Sequence, residues 1–357
     1  MSFPLVGSPL RLVRTQADSP RRAGARILLK KDSGRARMTS TGDYGDVVNI
    51  YISGSIAYDR IMDFPGKLSD HILPDKIHIL NVCFTVNGMV EKFGGTAGNI
   101  AYTLSLLKER PVLIATIGKD FESYFDWLNK NNISEEGIKI IREEFTAGAY
   151  IITDKADNQI TGFNPGAMKY PSGYSFHNAD PKNSISLIAP GNLQDMVEYA
   201  RICKEKGIDH ICDPGQSLTQ WEGNALREWL DGSLLLISND YELELIMKIT
   251  GMNKKGLLGL TKIIITTLGE KGSLITSAEF DVAIPAVKVH NVVDPTGAGD
   301  AYRAGLLKGI VLGRDIETSA KMGTVAAAFA IERYGTQEHH YTYEDFIARY
   351  KSNFGEL

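Results

Sequence analysis

Cysteine is scarce in this chain: Cys83, Cys203 and Cys212 are the only three, and no two stand in a Cys-x-x-Cys spacing. A disulfide framework and a zinc site are thereby excluded, and the thiols, set in apolar stretches, read as buried groups of a reducing, cytoplasmic compartment. Long apolar runs are also lacking. None approaches the ~20 residues that a membrane span requires, and no apolar segment near the N-terminus marks a secretory signal. Gly-x-x-x-x-Gly-Lys-Ser/Thr is absent, which excludes a P-loop, and GGTAGN at 94–99 does not match Gly-x-Gly-x-x-Gly, which argues against a dinucleotide dehydrogenase. Positive charge is not in excess, the net being −4, so nucleic acid is not an expected partner. Internal repeats and low-complexity segments are missing beyond residue 46.

What is present is a chain of 357 residues, 43% apolar, enough for one large α/β domain with a smaller appendage. Its charge is uneven. Residues 1–37 carry nine basic against two acidic residues, a net of +7, which leaves −11 for the rest. A basic, aperiodic segment of this kind reads as a disordered leader over 1–46, with Met38 a candidate start.

From Val47 the pattern becomes structural. VVNIYISGS (47–55) reads as a buried strand, and IHILNVCFTV (77–86), GAYIITD (148–154) and NQITGF (158–163) as antiparallel strands with one face solvated. AGNIAYTLSLLKE (97–109) has helical spacing. After about residue 184 strands and helices alternate, which implies right-handed crossovers and a mostly parallel sheet covered by helices. Ligands of such sheets bind beyond the carboxyl ends of the strands, where Ser55, Asp213, Asn239 and Gly269 fall.

The heptapeptide DPTGAGD (294–300) runs straight into the apolar helix AYRAGLLKGIVLG. Its glycines let the backbone turn with amides outward, and the helix start adds a positive dipole end. The amides of Gly297, Ala298 and Gly299 would then form an anion hole for a phosphoryl group in transfer. Asp300, in the first helical turn, is placed to take a proton from an attacking hydroxyl.

DPTGAGDAYRAG resembles the C-terminal signature of the ribokinase-like family of carbohydrate and purine kinases. FGGTAGNIAY (93–102), NDYE (239–242) and TTLGEKGS (266–273) are similar to further motifs of that family, in the same order. SGSIAYDRIMDFPGKLSDHILPDKIH, FNPGAMKY, CDPGQS and YGTQEHH look like its bacterial adenosine kinase branch. The resemblance implies a three-layer α/β/α nucleotide-binding domain (47–59, 94–142 and 169–357) with a mostly parallel central sheet, and a β-sheet lid (60–93 and 143–168). It implies transfer of the γ-phosphoryl group of ATP to the 5′-hydroxyl of adenosine, giving AMP and ADP. Carried over by position, Ser55 and Asp59 would face the nucleoside, Gly95 and Asn99 would hold its ribose, Phe163 would contact the purine, and Gln216 would bond near the base. Asn239, Thr267, Gly269 and Gly272 would line the ATP side, and Asn239 and Glu242 would stand in the outer shell of a magnesium ion. Potassium activation and a homodimer through the lid are further traits of the family. This sequence departs from the branch at Ala149, where an aromatic wall is expected, and at Ser217, where a second Gln is common.

Taken singly, these residues have simpler readings. Asp59 could cap a turn, Asn99 the helix from Ala97, and Glu242 a helix start, while Phe163 alone would pass for a core aromatic. His339 and His340 lack metal-ligand spacing and read as surface residues. The competing functions are a kinase of the same family acting on a sugar or another nucleoside, and a nucleoside sensor that has lost catalysis. The intact Asp300 argues against the sensor.

Overall fold

The computed structural model describes residues 48–357, except Leu73, Leu80 and Asp157. The basic leader expected over 1–46 lies outside the described residues.

The chain starts along β1 (Asn49–Ser53), continues in β2 (Ala57–Asp63) and returns along β3 (Met89–Gly94) into helix α1 (Thr96–Leu106). Strand β4 (Val112–Ile117), helix α2 (Glu122–Lys130) and the short β5 (Ile138–Ile140) follow, then β6 (Ala147–Thr153) and β7 (Gln159–Asn164). Alternation sets in with β8 (Ser184–Ile188), α3 (Leu193–Lys206), β9 (Asp209–Cys212), α4 (Gly223–Leu230) and β10 (Ser233–Asn239). Helix α5 (Asp240–Thr250), the one-turn α6 (Lys254–Leu257) and β11 (Thr261–Thr267) continue it. A hairpin of β12 (Ser273–Ser277) and β13 (Asp281–Ile284) precedes α7 (Ala298–Val311), α8 (Ile316–Ala330) and α9 (Tyr343–Phe354).

The large sheet has the order β13-β12-β11-β10-β9-β8-β1-β4-β5, and the small one β3-β2-β6-β7. All pairs of the large sheet are parallel except β11–β12 and β12–β13. Both faces are buried, as a parallel sheet requires. Ile50 and Ile52 of β1 with Leu235 and Ile237 of β10 pack on one side with α1 and α7, while Tyr51 and Leu236 face α3, α4 and α5. From β1 the chain moves toward β4 and β5, and from β8 it moves the other way. The order therefore reverses between β1 and β8, and such a switch point opens a crevice at the carboxyl ends of the strands.

Two strand expectations are corrected. The described residues of 77–86 do not form a strand: Pro74–Ile79 is a 3-10 turn, and the edge strand is Met89–Gly94. Strand β2 runs from Ala57, opposite Gly94, to Met62, opposite Met89, so its partner is used up before 77–86 is reached. Phe84 packs instead on Phe64 and His71, at ring-centroid distances of 5.0 and 6.0 Å. The small sheet is also not wholly antiparallel, because β2 and β6 run parallel. The chain between them passes through the large sheet, a crossover long enough for that pairing. Cys83 is exposed, contrary to expectation, while Cys203 and Cys212 are buried.

Helix α7 reaches the crevice by packing backbone to backbone on α8. A Cβ at Gly309 would lie 2.5 Å from Ser319 Cα, and one at Gly323 would lie 2.9 Å from Tyr302 O. Gly309→Ala, which would gain about 1 kcal/mol in a solvated helix, should here lose about 1–3 kcal/mol through overpacking. A shift of the urea unfolding midpoint to lower concentration, at unchanged slope, is the expected result.

Candidate active site

The heptapeptide loop is built by its own first carboxylate. Asp294 Oδ1 accepts the Thr296 N–H at 2.9 Å, and Oδ2 accepts the Gly335 N–H at 3.0 Å. Gly297 then takes φ +79° as the N-cap of α7, a conformation that favours glycine. The Ala298 N–H is turned back to Pro295 O at 3.2 Å, so this expected donor of the anion hole is committed within the loop. The amides of Gly299 and Asp300 have no intrahelical acceptor at these positions and face the crevice end of the helix. A Cβ at Gly299 would lie 2.7 Å from Arg303 Nη1, the far end of a side chain.

A second helix meets α7 here. The start of α1 has no side-chain cap of its own, because Gly95 occupies the cap position at φ +89° and its Cβ would strike Ile56 Cα at 2.6 Å. Ser55 supplies the cap from the end of β1: its Oγ accepts the Thr96 N–H at 3.0 Å and its carbonyl the Ala97 N–H at 3.0 Å. Asn99, buried in the first turn, donates from Nδ2 to Asp300 Oδ2 at 2.8 Å. Burial pushes the Asp300 carboxyl up to about 6, with Arg303 and the Asn99 donor pulling it down and Asp213 and Glu242 pushing it up.

Two clefts adjoin Asp300. One, of about 460 Å³, is lined by Ser55, Asp59, Gly95, Asn99, Phe163, Gln216, Gly297 and Asp300. The other, of about 400 Å³, is lined by Asp213, Gln216, Asn239, Glu242, Thr267, Gly269, Gly299, Asp300 and Arg303. Asp300 belongs to both. Gly272 lines neither; it sits in the β11–β12 turn at φ +87°, where its N–H donates to Gly269 O at 3.0 Å and Leu268 N–H donates to its carbonyl at 2.7 Å.

Asp59 and Phe163 of the first cleft stand in one row across the small sheet, Lys92–Asp59–Ala149–Phe163, and share a face. Burial, with the nearby Asp294, holds the Asp59 carboxyl above its ordinary range. Phe163 is 53% exposed on the open cleft, so it is not a core aromatic. Gln216 is exposed, its Nε2 3.5 Å from Thr96 Oγ1, whereas Ser217 is buried and bonded to Pro214 O at 2.6 Å. In the second cleft Asn239 and Glu242 form a capping box for α5: each side chain accepts the other's backbone N–H, at 2.7 and 2.8 Å.

Several residues here were not singled out in the sequence. Arg303 forms a buried ion pair with Asp213, a strand-end position already marked in the sequence, with Nη2–Oδ1 at 2.7 Å and Nε–Oδ2 at 2.5 Å. Burial holds Asp213 above the ordinary carboxylate range, and Arg303 pulls it back. An arginine one turn after Asp300, amid small apolar residues, was the available signal. The segment 334–338 is a strap. Lys92 Nζ donates to Tyr334 O at 3.0 Å, Asp294 holds Gly335, Thr336 Oγ1 donates to Phe93 O at 3.2 Å, and Gln337 Nε2 donates to Asn99 Oδ1 at 3.0 Å. His339 is corrected from surface to core: it is 1% exposed, its Nε2 3.1 Å from Thr103 Oγ1, and burial pushes it down to about 4. His340 is exposed, as expected. Among the described residues no cluster of His, Cys, Asp or Glu could by itself hold a metal ion, and no helix is long and apolar enough to cross a membrane.

Residues 66–342 match the model of the pfkB family of carbohydrate kinases. A nucleoside kinase of Methanocaldococcus jannaschii is 33% identical over 263 residues, 72% of this chain and 85% of that protein. Its crystal structure, described as an archaeal member of the ribokinase family, has a TM-score of 0.76 and covers 86% of this chain and 99% of its own. The Burkholderia thailandensis nucleoside kinase in complex with inosine has a TM-score of 0.75 at 35% identity, over 86% of this chain and 98% of its own. The same enzyme in complex with ADP-inosine gives 0.74 at 36%, over 86% and 96%.

Replacing Arg303 alone should expose the cost of the buried pair. Arg303→Met leaves Asp213 as an uncompensated buried carboxylate and should cost about 3–5 kcal/mol of stability. Pairing it with Asp213→Leu should recover most of that in the same urea titration.

Proposed function

Because the chain belongs to the pfkB family of carbohydrate kinases and has its ribokinase-like fold, we propose that it transfers the γ-phosphoryl group of ATP to the 5′-hydroxyl of a purine nucleoside, adenosine first among them. The observation that carries this reading is the place of Asp300. One carboxylate stands where the two clefts meet, so an acceptor in the first and a phosphate donor in the second come together at its oxygens.

In this reading Asp300 takes the proton of the 5′-hydroxyl as its oxygen attacks the γ-phosphorus and the bond to the ADP oxygen breaks. A carboxyl with its pKa near neutrality suits a base working at neutral pH. The free amides at the start of α7 receive the charge of the phosphoryl oxygens, aided by the helix dipole. Arg303, fixed by Asp213, adds positive charge beside them.

The small sheet supplies the nucleoside contacts. Asp59 and Phe163 are two strand spacings apart on one face, about 10 Å, which suits ribose hydroxyls at one end and a purine ring at the other. Ala149 between them leaves that face open. The amide of Gln216 offers both a donor and an acceptor, so a 6-amino or a 6-oxo purine can be met by turning it over. Inosine, bound by the Burkholderia relative, is therefore the second acceptor of this reading. Closure of residues 60–93 and 143–168 over the nucleoside would exclude water as a competing acceptor.

The donor set of the second cleft fits magnesium carried on ATP. Asn239 and Glu242 are engaged with each other's amides, so they would reach the ion through water, as suits a cation that dehydrates reluctantly. When bound, the ion neutralises phosphate charge.

A substrate panel of adenosine, inosine, guanosine, ribose and fructose tests the acceptor; preference for a free sugar would overturn the nucleoside reading. With the preferred acceptor, kcat/KM should rise as pH rises through about 6, the point at which Asp300 loses its proton. Asp300→Asn should lower kcat by ~10²–10⁴-fold and abolish that rise. Asp59→Ala should weaken nucleoside binding in a calorimetric titration while the affinity for ATP stays close to that of the parent.

A further inference from the structure

Asp300 ends a chain of hydrogen bonds that starts at Trp127, a residue that lines neither cleft. An amide side chain is ambiguous, since its oxygen and nitrogen exchange places by a half-turn. An indole N–H is not, because it can only donate. Trp127 Nε1 lies 2.7 Å from Gln337 Oε1, which must therefore be the acceptor end. The nitrogen of Gln337 then faces Asn99 Oδ1 at 3.0 Å and Tyr124 Oη at 3.1 Å. Tyr124 sends its own proton to Gly94 O at 2.7 Å, which leaves its oxygen to accept. With Oδ1 so engaged, Asn99 has only its N–H to offer Asp300, at 2.8 Å.

We propose that Trp127 and Gln337 are positioning residues that set this direction, so that Asn99 presents a donor and never a carbonyl oxygen to the base. The proposal rests on Asp300 being that base. Reversal of Asn99 would set its oxygen against a carboxylate and its NH₂ against the NH₂ of Gln337, both in buried surroundings where an unmade bond is costly. The start of the chain is held rigidly. The Trp127 ring stacks on Phe93 at 5.0 Å and 8° and on Tyr102 at 5.7 Å and 25°. Gln337 is 3% exposed and Tyr124 is fully buried.

The charged groups facing Asp300 are Arg303 on its own helix, Asp213 after β9 and Glu242 in α5; from α1 it meets the Asn99 amide. Arg303 remains in every variant below, so a change in titration reports the amide. Loss of an ordered donor to an ionised carboxylate raises its pKa.

The test is kcat/KM for the preferred nucleoside, followed from about pH 5 to 9, where the acid limb reports the base of the free enzyme. Gln337→Met removes the orienting amide, and Trp127→Phe removes only the donor while keeping a ring to stack. The acid limb should move up by about 1 unit in Gln337→Met and in the same direction, by less, in Trp127→Phe. Combining the two should move it no further than Gln337→Met alone, because tryptophan acts through the glutamine. Acid limbs that coincide with the parent's in both variants, whatever the melting temperatures, would overturn the proposal and leave a packing role. An acid limb that persists in Asp300→Asn would instead count against the base assignment itself.

Discussion

The hydrogen bond from Asn99 to Asp300 joins helices whose residues are 201 positions apart, and the site is organised around that junction. Each helix needs its own support to arrive there. Helix α1 is started by Ser55 at the end of β1 and by a glycine with no room for a side chain. Helix α7 is set by the Asp294 loop and by glycines that bring its backbone onto α8. Since β1 is the strand at which the sheet order reverses, the junction lies over the crevice that the topology opens.

Electrostatics at the junction follows from burial. Partial withdrawal of the Asp300 carboxylate from water raises its pKa, and its surroundings both oppose and reinforce that rise. Arg303 favours ionisation of Asp300 while Asp213 and Glu242 oppose it, and Asp213 holds the guanidinium in a two-contact pair. The arrangement leaves a carboxyl raised to about 6 beside a cation held in a fixed place. That is a balance of opposing charges, and it depends on three separate elements keeping their distance.

Much of this was legible in the sequence where the signal was local. The Gly-rich entry to α7, the strand–helix alternation after residue 184 and the strand-end positions of Ser55 and Asn239 all depend on neighbours in the chain. Arg303, Gln337 and Trp127 were missed because their meaning lies in partners: a buried arginine is recognisable only with Asp213, and a glutamine only with the indole and the amide it joins. The run 77–86 misled for the same reason. Its composition suits a strand, but strand formation is decided by an available neighbour, and β2 was already paired from Ala57 to Met62. His339 is polar in sequence, and only its contacts with Tyr102 and Thr103, distant in the chain, make it a core residue.

The strap at 334–338 has a consequence for how this chain can change in length. Surface connections usually accept insertions and deletions, since their backbone is held at few points. Here successive residues are tied in turn to β3, the Asp294 loop, β3 again and Asn99. A single added or removed residue would put every later tie out of register, much as a slipped stitch undoes a seam. Length variation among descendants of this chain should therefore collect elsewhere, and the spacing between Tyr334 and Gln337 should stay fixed even where the residues themselves drift.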